Sequence, residues 1–168
     1  MDTLIAGNTT IKSAFDMAFY DLAAKAKEIP LYQFLGGKVK PVETDITIGI
    51  ASPTEMVEKA LEYKKTGAKI LKIKLGKNPK QDVERMQKIR AAVGNKMLLR
   101  IDANQGYSLD EAVYVLNEMG GLDIQFCEQP MRSWNDELLP ELISKSPIKI
   151  MADESLYSHH DAERLIRN

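Results

Sequence analysis

Ile11, Ala14, Phe15, Ala18, Phe19, Leu22 and Ala26 recur at helical spacing and predict a helix over 11–27 with one apolar stripe. Thr9 or Thr10 offers an N-cap, and Pro30 followed by Gly36-Gly37 closes the unit. From about residue 44 the pattern changes. Short aliphatic or β-branched runs at 45–50, 70–75, 98–102, 123–128 and 148–153 alternate with amphipathic stretches near 54–65, 80–92, 109–119 and 136–144. Ser52, Ser108 and Asn135 stand where caps belong. The runs begin roughly every 25 residues, enough for one strand and one helix. Alternation of this kind predicts a parallel sheet, either open and doubly wound or curved into a barrel.

Side-chain parity separates the two. Successive strand residues point to opposite faces. Leu71, Ile73 and Leu75 share one face and Lys72 and Lys74 the other. Arg100, Asp102 and Asn104 share a face, as do Ile124, Phe126 and Glu128, and Lys149, Met151 and Asp153. Four consecutive strands thus offer one face that is apolar or nearly so for helices to cover and one face that ends in charge at its C-terminal tip. In a barrel such tips converge on one mouth. In an open sheet, tips several strands apart do not meet. No GxGxxG or GxxxxGK[ST] loop follows the first strand, which counts against a nucleotide-binding open sheet.

Composition narrows the partners. Twenty-three Lys and Arg balance 24 Asp and Glu, so charge gives no reason to expect nucleic acid or an anionic membrane. No apolar run approaches the ~20 residues that span a bilayer, and Met1-Asp2-Thr3-Leu4-Ile5-Ala6-Gly7 has no leader-like pattern. One cysteine excludes an internal disulfide and suits a reducing, cytoplasmic setting. By parity Cys127 is a buried structural thiol. His159-His160 begin the last helix in solvent, and Trp134 either lines the mouth or packs on a loop.

Charges facing one axis need compensation, because burying an unpaired charge costs several kcal/mol. Asp102, Glu128 and Asp153 on consecutive strands could share one hard cation, since Mg²⁺ takes oxygen ligands. No Cys/His cluster suggests zinc. Any single one of these acids could equally cap a helix or pair with a lysine. Three in matching parity favour the cation. Lys72 and Lys74, interleaved with Leu71, Ile73 and Leu75, place two ammonium groups side by side. Like charge and partial burial both depress a lysine pKa, which suits a general base. Metal plus lysine base suggests removal of the proton next to a substrate carboxylate, with the metal stabilising the resulting enediolate.

Lys72-Ile73-Lys74, Asp102-Ala103-Asn104, Glu128-Gln129-Pro130 and Asp153-Glu154-Ser155, in this order and spacing, resemble the enolase superfamily, muconate-lactonizing subgroup, across nearly the whole chain. Phe15-Asp16-Met17-Ala18 and Pro30-Leu31-Tyr32-Gln33-Phe34-Leu35-Gly36-Gly37 resemble the lead-in to that group's barrel. Phe126-Cys127-Glu128-Gln129-Pro130-Met131 and Ile150-Met151-Ala152-Asp153-Glu154-Ser155 most resemble dipeptide epimerases of the L-Ala-D/L-Glu type. The resemblance implies Mg²⁺ held by Asp102, Glu128 and Asp153, and Lys74 as acid/base on one face of a small carboxylate substrate, a dipeptide. Lys72 would tune Lys74, and Asn104 and Glu154 would orient the ligands.

The expected fold is α/β: a partial TIM-type (β/α) barrel of about five units over 41–168, preceded over 1–40 by a helix from the capping-domain junction. A closed barrel of this type has eight strands. The resemblance sets a second catalytic lysine on the next strand, beyond Asn168, so the activity is expected of a full-length parent and not of this piece alone. A muconate cycloisomerase or an o-succinylbenzoate synthase-like enzyme would use the same site. A reading of another class is an inactive barrel piece whose open edges, at 45–50 and 148–153, associate into homo-oligomers or with a complementary chain.

Overall fold

The computed structural model describes residues 7–167. The leader-free reading of residues 1–6, and the last residue, Asn168, lie outside the described residues. Two compact units divide the chain, Met1–Glu43 and Thr44–Asn168.

The first unit holds α1 (Thr9–Ala26) and the single turn α2 (Leu31–Phe34). The predicted helix is present, but its cap is neither threonine. Asn8 takes the N-cap with a left-handed backbone and without a side-chain cap bond. Tyr20 meets Phe34 edge-on at 6.3 Å, and Lys27 lies over the same ring at 5.3 Å. The apolar stripe of this helix is largely exposed at Ile11, Phe15, Phe19 and Leu22. Ala24 is the buried residue of α1.

The second unit runs β1 (Ile46–Ile48), α3 (Pro53–Lys65), β2 (Ile70–Lys74), α4 (Pro79–Val93), β3 (Leu98–Asp102), α5 (Leu109–Glu118), β4 (Ile124–Glu128), α6 (Leu139–Lys145), β5 (Ile150–Met151) and α7 (His159–Arg167). All pairs are parallel and the strand order is the order in sequence, β1 to β5. The architecture is thus five consecutive β/α units in a sheet that does not close.

Caps explain the helix starts. Ser52 and Ser108 each accept from the backbone N–H three residues on, while Glu55 and Glu111 reach back to the cap backbone. Asn78 caps α4 in the same way without the returning acid. The predicted cap at Asn135 is not one. Residues Ser133–Leu138 form a 3-10 stretch with a kink at Asn135, and α6 begins only at Leu139.

One sheet face is dry. Leu71, Ile73, Leu99, Ile101 and Cys127 are wholly inaccessible, packed with Met56, Met86, Ile89, Val115 and Leu116 from the helices. Each large aliphatic side chain buried here contributes about 1.5–3 kcal/mol relative to exposure. Parity holds throughout β2 and β3 but breaks in β4. Leu99 pairs with Ile124, yet Ile101 pairs with Cys127, so β4 carries one extra residue. That bulge turns Ile124 to the helix side, against the expectation that it shares a face with Phe126 and Glu128. Gln125 and Phe126 both come to the polar side instead.

Candidate active site

The polar face is built in two tiers. In the lower tier Arg100 donates to Asp45 Oδ2 at 2.8 Å and to Gln125 Oε1 at 2.8 Å, and its guanidinium lies 5.2 Å from the Phe126 ring centre. The bulge makes this possible, because it presents two consecutive β4 side chains to one arginine.

The upper tier holds the predicted chemistry. Register places Lys74 beside Asp102 and Asp102 beside Glu128. Lys74 Nζ donates to Asp102 Oδ2 at 2.6 Å and to Asn104 Oδ1 at 2.7 Å. Lys72 Nζ lies 2.9 Å from the same Asp102 oxygen and donates to Glu128 Oε1 at 2.6 Å. Two ammonium groups therefore meet at one carboxylate oxygen. Asn104 Nδ2 reaches Glu154 Oε1 at 3.3 Å, which fixes the direction of the Asn104 amide. Glu154 Oε2 is buried with no hydrogen-bond partner. Asp153 lies two residues past the end of β5 and is exposed. Its backbone N–H, not its carboxylate, is held, by Gln129 Oε1 at 2.9 Å. Six of the seven predicted site residues thus form one linked set, and Asp153 joins it through the backbone.

The electrostatics correct one expectation. Burial alone would depress Lys72, but Glu128 and Asp102 outweigh it and raise its pKa above the usual lysine value. The neighbouring ammonium is not the controlling charge. Burial works to raise Asp102, yet Lys74, Lys72 and the Asn104 N–H hold its carboxyl below the usual range. Glu128 is pushed up by burial and by the Asp102 charge, despite Lys72.

Do these residues fit a divalent cation? Among the described residues no three acidic, histidine or cysteine side chains stand together as a metal-holding group. The donors are nevertheless all hard oxygens, and Asp45, Asp102, Glu128, Asp153 and Glu154 outnumber Lys72, Lys74, Arg100 and Lys149 on this face. The Asp153 carboxylate has no partner among the described residues, and Glu154 Oε2 is orphaned. A hard cation suits that set.

Residues that the sequence reading passed over hold the site's turns. Asn104, Gln105 and Gln129 have positive φ. Asp82, wholly buried, accepts from Arg85 at 2.6 Å, from the Tyr107 hydroxyl at 2.8 Å and from the Gly76 and Asn78 N–H groups. Arg85 in turn donates to the Ala51 carbonyl. This cluster ties the turns after β1, β2 and β3 together. Gly76 and Gly106 allow it, since a Cβ on Gly76 would strike the Ala103 carbonyl and one on Gly106 the Gly76 carbonyl. In the sequence Asp82 reads as an ordinary first-turn helix acid; the available signal for close turns is Gly76, two residues past Lys74, and Gly106, four past Asp102. Trp134 is exposed beneath Arg132 at 5.4 Å and lines an open groove with Glu154, Tyr157 and Arg164.

A parallel β/α sheet with charged C-terminal tips is the scaffold of a barrel enzyme. Residues 55–168 match the enolase C-terminal domain-like family, and residues 1–36 match the mandelate racemase / muconate lactonizing enzyme, N-terminal domain. The chain belongs to this enolase-superfamily group. It is 48% identical over 168 residues to an L-Ala-D/L-Glu epimerase of Clostridium acetobutylicum, covering 99% of this chain and 47% of that protein. It is 46% identical to a D-Ala-D/L-Ala epimerase of Cytophaga hutchinsonii, covering 99% and 46%. The crystal structure of a dipeptide epimerase from Cytophaga hutchinsonii, complexed with Mg and the dipeptide D-Ala-L-Val, superposes with a TM-score of 0.95 at 46% identity, over 99% of this chain and 45% of that one. The chain spans about half the length of the curated relatives it matches.

Proposed function

We propose that this chain supplies the metal-binding and one-base half of a Mg²⁺-dependent epimerase that acts on a carboxylate substrate, a dipeptide. The observation that carries the reading is the shared tier of Lys74, Lys72, Asp102 and Glu128 on three adjacent strand tips. The dipeptide and the metal are drawn from the similar proteins, whose structures are complexed with both.

Asp102, Glu128 and Asp153 would hold the cation. When bound, it supplies positive charge where the substrate carboxylate becomes an enediolate. Lys74 Nζ takes the proton from the adjacent carbon and returns it. Asp102 and Asn104 hold that nitrogen by hydrogen bonds at 2.6 and 2.7 Å, which aims it at one face of the substrate carbon. Asn104, braced by Glu154, keeps Nζ in place as this happens. Lys72 offsets the charge of Glu128 and Asp102. Epimerisation also needs an acid on the opposite face of the carbon, and none of the residues assembled here takes that part. The activity is accordingly assigned to a protein with the complete barrel.

The test is exchange of the substrate α-proton with deuterium from solvent, catalysed by such a protein. Lys74→Ala is expected to slow exchange by about 10²–10⁴-fold. Exchange at the unaltered rate would remove Lys74 from the mechanism.

A further inference from the structure

The geometry points to Gln129 as the positioning residue that sets the Asp153 carboxylate against Glu128. The inference rests on the reading of Asp102, Glu128 and Asp153 as ligands of one cation. β5 ends at Met151, so no strand pairing holds Asp153 itself. Gln129 does that work. Its Oε1 accepts from the Asp153 N–H at 2.9 Å and from the Ser155 N–H at 3.1 Å. Its Nε2 donates to the Met131 carbonyl at 3.0 Å and to Ser155 Oγ at 2.7 Å. Both hydrogen-bonding ends of the amide are satisfied, and the residue is 3% exposed.

The backbone of the same residue completes the lock. Gln129 N–H donates to the Met151 carbonyl, and its own carbonyl accepts from the Gln105 N–H at 2.7 Å. Gln105 follows Asp102 by three residues. One residue, covalently next to Glu128, thus binds the turns that carry the other two acids. Its φ of +37° lies in the left-handed region. A residue other than glycine stays there only where its surroundings over-determine it. A glutamine suits the task because it spans to the turn after β5 and presents an acceptor and donors without adding charge beside two carboxylates. Groups that orient metal ligands change metal affinity by about 10–100-fold when lost.

Two readouts on this chain separate the lock from the ligand reading: exchange of the Asp153 amide hydrogen by ¹⁵N NMR, and Mn²⁺ affinity by the paramagnetic resonance of free Mn²⁺. Gln129→Met keeps the length and removes all four side-chain bonds. It is expected to speed Asp153 exchange at least about tenfold and to weaken Mn²⁺ about 10–100-fold. Gln129→Glu keeps both acceptor bonds and is expected to restore Asp153 protection. Leu142→Ala, a core truncation in α6, is the control for lost stability and is expected to leave Mn²⁺ affinity unchanged. Should Gln129→Met not fold, Gln129→Asn, one methylene too short to reach Asp153 and Ser155, takes its place with the same expectation. Unchanged Asp153 exchange overturns the lock, as does unchanged Mn²⁺ affinity in a variant of a chain that binds Mn²⁺. If the unaltered chain binds no Mn²⁺, the ligand reading falls, and Asp153 exchange alone decides the lock.

Discussion

The two faces of the sheet are made by the same strands and could hardly differ more. Leu71, Ile73, Leu99, Ile101 and Cys127 point one way into a dry layer of helices. Lys72, Lys74, Asp102 and Glu128 point the other way and pair with one another, while Arg100 on the same face pairs with Asp45 and Gln125. On the first face contacts are non-directional and many, so the cost of a change scales with volume. On the second they are few and directional, and each group's state depends on its neighbours' charge. The lesson is a division of labour by parity: one face holds the fold, and the other holds groups whose pairing would be unnecessary for folding alone.

Asp82 is the hardest test of that division, because it places a charge on the dry side. Asp82→Ala leaves Arg85 buried without its carboxylate and strips the Gly76 and Asn78 N–H groups of an acceptor. Chemical denaturation should show a loss of about 3–5 kcal/mol. A loss within 1 kcal/mol would mean the cluster does not hold the turns. Leu99→Ala, on the dry face directly beside the charged tier, should cost about 2–5 kcal/mol by the same assay. It should leave Mn²⁺ affinity nearly unchanged, and a comparable loss of both would erase the distinction between the faces.

Smaller effects sharpen the picture on the alkaline side. Burial, then the Asp82 charge, raises the Tyr107 phenol well above its usual range. The folded state therefore keeps a proton that the unfolded chain gives up. That contribution to stability is whole below about pH 10 and declines as pH rises beyond it. Tyr107→Phe should flatten this alkaline decline in a plot of stability against pH. Burial likewise raises the Cys127 thiol. It should not react with a thiol reagent in the native state, and should react once denaturant unfolds the sheet. Rapid native labelling would place Cys127 outside the dry layer.

Much of this was legible because strands keep a period of two. The runs at 70–75 and 98–102 appear as β2 and β3 with their faces as parity assigns them. The Ser52 and Ser108 caps were readable from the acid three residues on. Parity failed at Ile124, where a bulge inserts one residue and no local sequence rule marks it. It could not foresee Lys72, since a lysine's state depends on which carboxylates fold against it. Nor could it foresee that α1 leaves its apolar stripe exposed, because periodicity shows a face and not what covers it. Gln129 stood in the motif without a role, for its four bonds are long-range or follow from an unusual φ.

Asp102, Glu128 and Asp153 are expected to hold one divalent cation between them. A calorimetric titration of this chain with Mg²⁺, repeated for Asp102→Asn, Glu128→Gln and Asp153→Asn, tests it most directly. One bound ion per chain is expected, with a marked loss of affinity in each of the three variants. Binding that survives Asp153→Asn undiminished, or no binding by the unaltered chain, would contradict it.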